Sequence, residues 1–219
     1  MFLCHQLRLL SQCFSLYMIL ILNLFSNINL SLMALKLKNY FIEIKKLLSL
    51  DALDEKNLIK SSNIFKNCNK KGGKIIFIGN GGSAATSSHA SVDLTKNAKI
   101  KSINFNEADL ITCFSNDFGH DKWMEKALEF YAEKKDIIIL ISTSGKSQNI
   151  LNAAKYCKKK NIKMITFSGF DKNNRLIKIN NHGINFWVNS NSYNHIEIVH
   201  HAYILSIVDK IIGKSVYKA

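Results

Sequence analysis

Ile75-Ile76-Phe77-Ile78 runs directly into Gly79-Asn80-Gly81-Gly82-Ser83, and Ile137-Ile138-Ile139-Leu140-Ile141 runs directly into Ser142-Thr143-Ser144-Gly145-Lys146-Ser147. Each apolar run is short, rich in β-branched residues and closed by small residues, which predicts a buried strand feeding a helix. Such a turn leaves the first amides of the helix without intrahelical partners, at the positive end of its dipole and beside hydroxyls. That arrangement suits a phosphate, and the chain carries it twice. Ser147 also suits the N-cap of the helix that follows. The first loop is not a dinucleotide fingerprint, because Gly79-x-Gly81-Gly82 lacks the spaced third glycine, and it is not a Walker loop, because Gly-Lys-Ser/Thr is missing.

Outward from these loops, strands and helices alternate. Leu37, Tyr40, Phe41, Ile44, Leu47 and Leu48 recur at helical spacing, residues 49–54 break the pattern, and a second helix is expected over 58–68, ended by Gly72-Gly73. Strands are expected at 74–78, 102–105, 136–141, 163–167 and 184–188, with helices over 83–96, 107–114, 123–134, 147–160 and 193–212. Asn116-Asp117-Phe118-Gly119 reads as a turn. Alternation of this kind predicts an α/β fold with a parallel sheet covered on both faces, whose ligands bind beyond the carboxyl ends of the strands. Both loops lie there.

The chain has 219 residues, of which 47% are hydrophobic, enough for one α/β domain with an N-terminal extension. A net charge of +14 raises the question of a nucleic-acid partner. The lysines are scattered over helical segments and form no single stripe, which argues against nucleic acid and for a solvated surface that also favours anionic substrates. Five cysteines (Cys4, Cys13, Cys68, Cys113, Cys157) with no CxxC spacing imply neither a disulfide framework nor a zinc knuckle, and free thiols in a reducing compartment are expected. A cytoplasmic location follows as the expectation.

Residues 1–32 differ from the rest. Over 9–32 nearly all side chains are apolar or small and polar, and Arg8 is the only formal charge before Lys36. A signal-peptide core, a short membrane anchor and an upstream extension ahead of a true start at Met33 are three readings. The single Arg weakens the first, and Asn23, Ser26, Asn27 and Asn29 interrupt the second. The third is adopted, with the domain over 33–219.

Gly79-Asn-Gly-Gly-Ser83, Asn116-Asp-Phe-Gly119 and Ile141-Ser-Thr-Ser-Gly-Lys-Ser147, in that order, resemble the sugar isomerase (SIS) domain family and, within it, the phosphoheptose isomerases. The likeness covers roughly residues 35–213. It implies a three-layer fold with a five-stranded parallel sheet flanked by helices, a leading helical arm and a homotetramer. It also implies conversion of sedoheptulose 7-phosphate to a glycero-manno-heptose 7-phosphate, a step toward lipopolysaccharide or capsule heptose. Carried over by position, Asn80, Gly81, Gly82 and Ser83 fall in the family's first substrate loop, Asn116 and Asp117 at its sugar-contacting pair, and Ser142, Thr143, Ser144 and Ser147 in its phosphate loop. His89 matches a family metal ligand, and Asp93 stands where the family has a glutamate that serves both as metal ligand and as acid/base. Zinc is the metal that this likeness implies.

Aldose–ketose isomerisation requires a base for the proton next to a carbonyl and an acid for the enediol. A carboxylate and an imidazole are natural choices. His89 and Asp93 are four residues apart and share a helix face, as are Glu197 and His201 further on. Asp93, Glu197 and His201 are the candidate catalytic residues. The terminal helix departs from the family. With Glu197 as the anchor of the alignment, Ile196 and Ile204 fall where the family has a glutamine and a histidine, and neither side chain can bind zinc. An alternative therefore stands beside the isomerase: a non-catalytic SIS protein that senses a phosphosugar, or an adaptor akin to the DnaA initiator-associating protein.

Overall fold

The computed structural model describes residues 36–216. The expected extension over 1–32 and the start at Met33 lie outside the described residues. The chain divides between Ile42 and Glu43. Of the first part, residues 36–42 are described, and they supply the opening turns of helix α1 (Leu37–Leu47). Within the second part, Ile44 of the apolar stripe is buried, Leu47 packs half-buried against a core, and Leu48 is exposed.

The α/β body follows as α2 (Ala52–Lys70), β1 (Ile75–Gly79), α3 (Gly82–Lys96), β2 (Ser102–Asn104), α4 (Ala108–Phe118), α5 (Trp123–Tyr131) and β3 (Ile137–Ile141). It continues with α6 (Gln148–Lys160), β4 (Lys163–Ser168), α7 (Arg175–Ile179), β5 (Ile184–Trp187) and α8 (Tyr193–Ile212). The five strands form one parallel sheet in the order β2-β1-β3-β4-β5, as expected from the alternation. Every residue of β1 and β3 is buried, which explains why both read as unbroken apolar runs: each strand is covered from both sides.

Alternate residues of those strands feed two cores. Ile75, Phe77, Ile137, Ile139 and Ile141 pack with residues of α2, α3 and α8, among them Phe65, Leu94, Val199 and Ile207. Ile76, Ile78, Ile138 and Leu140 pack with residues of α5 and α6, among them Met124, Leu128, Leu151 and Ala154. The period-two side-chain pattern of a strand thus sorts one sequence run into two layers. From β1 the chain passes to β2 on one side and then to β3 on the other. The strand order therefore reverses between β1 and β3, and a crevice opens beyond their carboxyl ends.

Three features depart most from the sequence reading. Helix α2 begins at Ala52, six residues before the expected 58, because the Asp51 carboxylate accepts the Asp54 amide at 2.7 Å and caps the first turn. Helix α4 runs to Phe118, so Asn116 and Asp117 lie in its last turn and the chain reverses only at Gly119 (φ 84°). Asn and Asp signal turns by competing for backbone bonds, but here their side chains bond to each other, Asn116 Nδ2 to Asp117 Oδ1 at 2.9 Å, and the helix persists. Helix α7, which the periodicity did not show, is a five-residue segment capped by the Asn174 side chain on the Ile177 amide. No helix among the described residues is long and apolar enough to cross a membrane.

Candidate active site

Gly79 and Ile141 sit side by side in the β1–β3 register, so the two loops leave the sheet as neighbours. The first loop is tight. A Cβ on Gly79 would lie 2.6 Å from the Ser83 backbone, and Gly81 (φ 53°) takes a left-handed turn that brings the chain into α3. The Ser83 amide bonds back to the Asn80 carbonyl at 3.0 Å. The buried Ser83 hydroxyl lies 3.5 Å from Thr143 Oγ1, tying the first loop to the second.

In the second loop Ser142 and Thr143 are buried, while Ser144 and Ser147 are half-buried. Ser142 Oγ donates to Ser147 Oγ at 3.3 Å, and Ser144 Oγ accepts the Lys146 amide at 3.3 Å. Ser147 occupies the N-cap of α6, yet its side chain makes no capping bond. The hydroxyl stays with the loop instead of the helix. Gly145 (φ 64°) closes the turn, and any Cβ there would strike the Asn174 side chain at 2.3 Å, so the cap of α7 also braces this loop. Asn80 and Asn149 exchange two amide hydrogen bonds, at 3.0 and 3.1 Å, and join the first loop to the first turn of α6.

Helices α3 and α8 supply the titratable groups. His89 Nε2 and Asp93 Oδ2 are 3.4 Å apart, one turn from each other on α3. The His201 ring of α8 lies 4.8 Å, centroid to centroid, from that of His89, and Thr86 Oγ1 is 3.2 Å from His201 Nδ1. Partial burial, and then the neighbouring His89, hold the His201 pKa below the usual imidazole value. A Cβ on Gly82 would fall 2.2 Å from Glu197 Oε2, so the Glu197 carboxylate rests against the entrance of α3.

The structure therefore gathers His89, Asp93, His201 and Glu197 between α3 and α8, beside the paired loops. Ile196 and Ile204 are fully buried in the core beneath α8, with Ile196 against Gly169. They face the sheet, while Glu197 and His201 face α3. His200, adjacent to His201, also faces the sheet, with Nε2 3.2 Å from the Ser168 carbonyl. Asn116 and Asp117 are exposed on α4, and no hydrogen bond among the described residues joins them to either loop. Thr86 and Asn149 were not singled out from the sequence. Asn149 lies two residues beyond the hydroxyl loop, which is the one local signal, whereas the partner of Thr86 is 115 residues away.

Zinc is the metal that the family likeness implies. Among the described residues no group of three His, Cys, Asp or Glu side chains is placed to hold a metal ion. His89 and Asp93 face each other, and His201 Nδ1 is engaged with Thr86. As arranged, the residues do not fit the ion.

A family model described as "SIS domain" matches residues 39–169. The chain is 37% identical over 131 residues to the phosphoheptose isomerase of Aliarcobacter butzleri, covering 56% of this chain and 69% of that one. It is 34% identical over 122 residues to that of Cytophaga hutchinsonii, covering 53% of this chain and 64% of the relative, just under two thirds of its length. Among solved structures, a phosphoheptose isomerase from Francisella tularensis superposes with a TM-score of 0.73 at 25% identity, over 81% of this chain and 97% of that one.

Proposed function

The chain belongs to the SIS domain family, and from that premise we propose that it is a phosphosugar isomerase acting on sedoheptulose 7-phosphate to form D-glycero-D-manno-heptose 7-phosphate. The observation that carries this reading is the convergence of Asp93, His89 and His201 beside two hydroxyl- and glycine-lined loops at the strand-order reversal. The curated relatives named above support the substrate. A homotetramer and a cytoplasmic location belong to the same proposal and rest on the family likeness.

In the proposed reaction Ser144, Ser147 and the first amides of α6 receive the phosphate, which fixes the sugar chain relative to the loops. One group removes the proton at C1 of the ketose and yields the enediol. The same group returns the proton to C2, while a second moves a proton from the C1 hydroxyl to the C2 oxygen, so that the carbonyl passes from C2 to C1. Asp93 is assigned the carbon proton, because a carboxylate beside an imidazole is both basic and oriented. His201 is assigned the oxygen protons. Its Nδ1 is held by Thr86, which leaves Nε2 for the substrate. Burial lowers its pKa and keeps the ring neutral near neutral pH, able to accept a proton and return it. Glu197 orients the first loop against α8.

The test is incubation of the full chain with sedoheptulose 7-phosphate, with and without added zinc, and detection of the aldose product. Turnover supports the isomerase. Binding without turnover in either condition supports the phosphosugar sensor, which is favoured by Ile196 and Ile204 at the positions where the family has a glutamine and a histidine. Loss of both, with a retained protein partner, supports the adaptor.

Gly82→Ala separates chemistry from folding. The three atoms nearest to the added methyl all belong to the far end of the Glu197 side chain, which can swing away, so the melting temperature is expected to hold. A carboxylate displaced by about an ångström lowers kcat by up to about 100-fold. Steady-state kinetics beside a melting curve check this.

A further inference from the structure

The turn between α4 and α5 is held over the start of α6 at two points. Asn152 Nδ2 donates to the Asp121 carbonyl at 2.8 Å, and Asn149 Nδ2 lies 3.4 Å from His120 Nε2. Asn149 is 3% exposed, whereas His120 is exposed. The orientation of the Asn149 amide follows from its neighbours. The Ile150 backbone N–H can only donate, and it points at the Asn149 side chain at 2.9 Å, so the atom it meets is Oδ1. The nitrogen must then face Asn80 Oδ1 and His120, and both its hydrogens are used. His120 Nε2 consequently accepts, and the ring hydrogen of the neutral imidazole sits on Nδ1. Among the described residues Nδ1 has no partner.

The layers give this ring its place. His120 and Asn149 stand on the side of the sheet covered by α5 and α6, whereas His89, Asp93 and His201 stand on the side covered by α3 and α8. The two loops lie between them. A sugar phosphate held by its phosphate in the crevice therefore meets the acid/base groups on one flank and His120 on the other.

We infer that His120 is a substrate-binding residue of this site, offering a fixed Nδ1–H donor to a hydroxyl of the bound sugar phosphate, and that Asn149 is the positioning residue that sets its tautomer while holding Asn80. The inference rests on the phosphosugar reading above. Asn149 acts through its neighbours: it couples the first loop, the first turn of α6 and the His120 turn in one buried amide.

Two measurements on the full chain test it. Long-range proton–nitrogen NMR of the histidine rings, assigned with His120→Phe, is expected to show His120 as the Nδ1–H tautomer. In Asn149→Asp, where the new carboxylate accepts and cannot donate, the ring is expected to switch to Nε2–H. A purely structural Asn149 would leave the tautomer unmoved. Calorimetry with sedoheptulose 7-phosphate and, separately, inorganic phosphate is expected to show His120→Phe weakening the sugar phosphate about tenfold, as loss of one hydrogen bond does, with inorganic phosphate changed less than about twofold. Since His120 is exposed, the variant is expected to fold, which its melting curve checks. An Nε2–H ring in the wild type, or equal sugar-phosphate affinity in wild type and His120→Phe, overturns the inference and leaves the phosphosugar reading standing. A wild-type chain that binds no sugar phosphate overturns both.

Discussion

Asp93→Asn is expected to reduce turnover of sedoheptulose 7-phosphate by about 10²- to 10⁴-fold, the range that a positioned general base contributes, and to change sugar-phosphate affinity by less than about threefold. The amide is isosteric with the carboxylate, so the packing of α3 is preserved. The Asn97 side chain, which donates to Asp93 Oδ1 at 3.2 Å, retains an oxygen acceptor. The lost property is proton affinity. In the wild type the carboxylate faces His89 at 3.4 Å, and His89 in turn packs against His201, so a charge at Asp93 is felt along the line of three side chains. Exchange of the substrate C1 proton with deuterated solvent reads the base directly, because that exchange disappears even where the overall reaction is limited by product release. Exchange and turnover that persist at wild-type rates in Asp93→Asn would remove Asp93 from the chemistry and assign the carbon proton to another group.

The second large effect concerns stability. His200 is fully buried, and burial pushes its pKa from 6.5 down to about 4, against a partial counter-effect from the Ser168 carbonyl. Among the described residues its Nδ1 has no hydrogen-bond partner. In the unfolded chain the same ring titrates near its ordinary value, so between pH 6.5 and about 4 the unfolded state binds the extra proton. Stability is therefore complete above pH 6.5, falls as the pH drops through that window, and levels off below about 4 for this group. At about 1.4 kcal/mol per factor of ten in the proton equilibrium, the loss amounts to about 3 kcal/mol, a large share of the stability of a domain. His200→Gln keeps a donor for the Ser168 carbonyl and cannot titrate. It is expected to flatten this part of the acid limb in urea midpoints measured from pH 7 to pH 4. His201 acts in the same direction and is present in both proteins, so the difference between them isolates the buried ring. Identical acid limbs would show that the buried ring is not the titrating group.

Much of this architecture is legible before any coordinate. Local composition marks β1 and β3, because a strand buried on both faces must be apolar throughout, and it marks the loops that follow, because only small residues allow the turn seen at Gly79 and Gly81. The order of the three motifs identified the family, and apart from the start of α2 and the short helix α7 the positions of helix and strand came within a few residues. The misplacements have specific causes. The start of α2 depends on a single carboxylate at Asp51, and the persistence of α4 through Asn116 and Asp117 depends on where their side chains find partners. Neither is visible in periodicity.

The candidate site itself divides along the same line. The four-residue spacings of His89 with Asp93 and of Glu197 with His201 place each pair on one helix face, a fact of helical geometry that needs no fold. Which face turns toward which neighbour is different. Helix α8 is apolar around most of its circumference, so its pattern alone does not choose an orientation. The burial of Ile196, Val199, Ile204 and Ile207 against the sheet chooses it, and so turns Glu197 and His201 toward α3. Thr86 reaches His201 across 115 positions, and Asn80 reaches Asn149 across 69, only because the sheet stacks their elements side by side. Short-range residue chemistry determined the strands, the loops and the helix-face pairs; the rotation of packed helices, a property of the whole core, decided which of those groups meet.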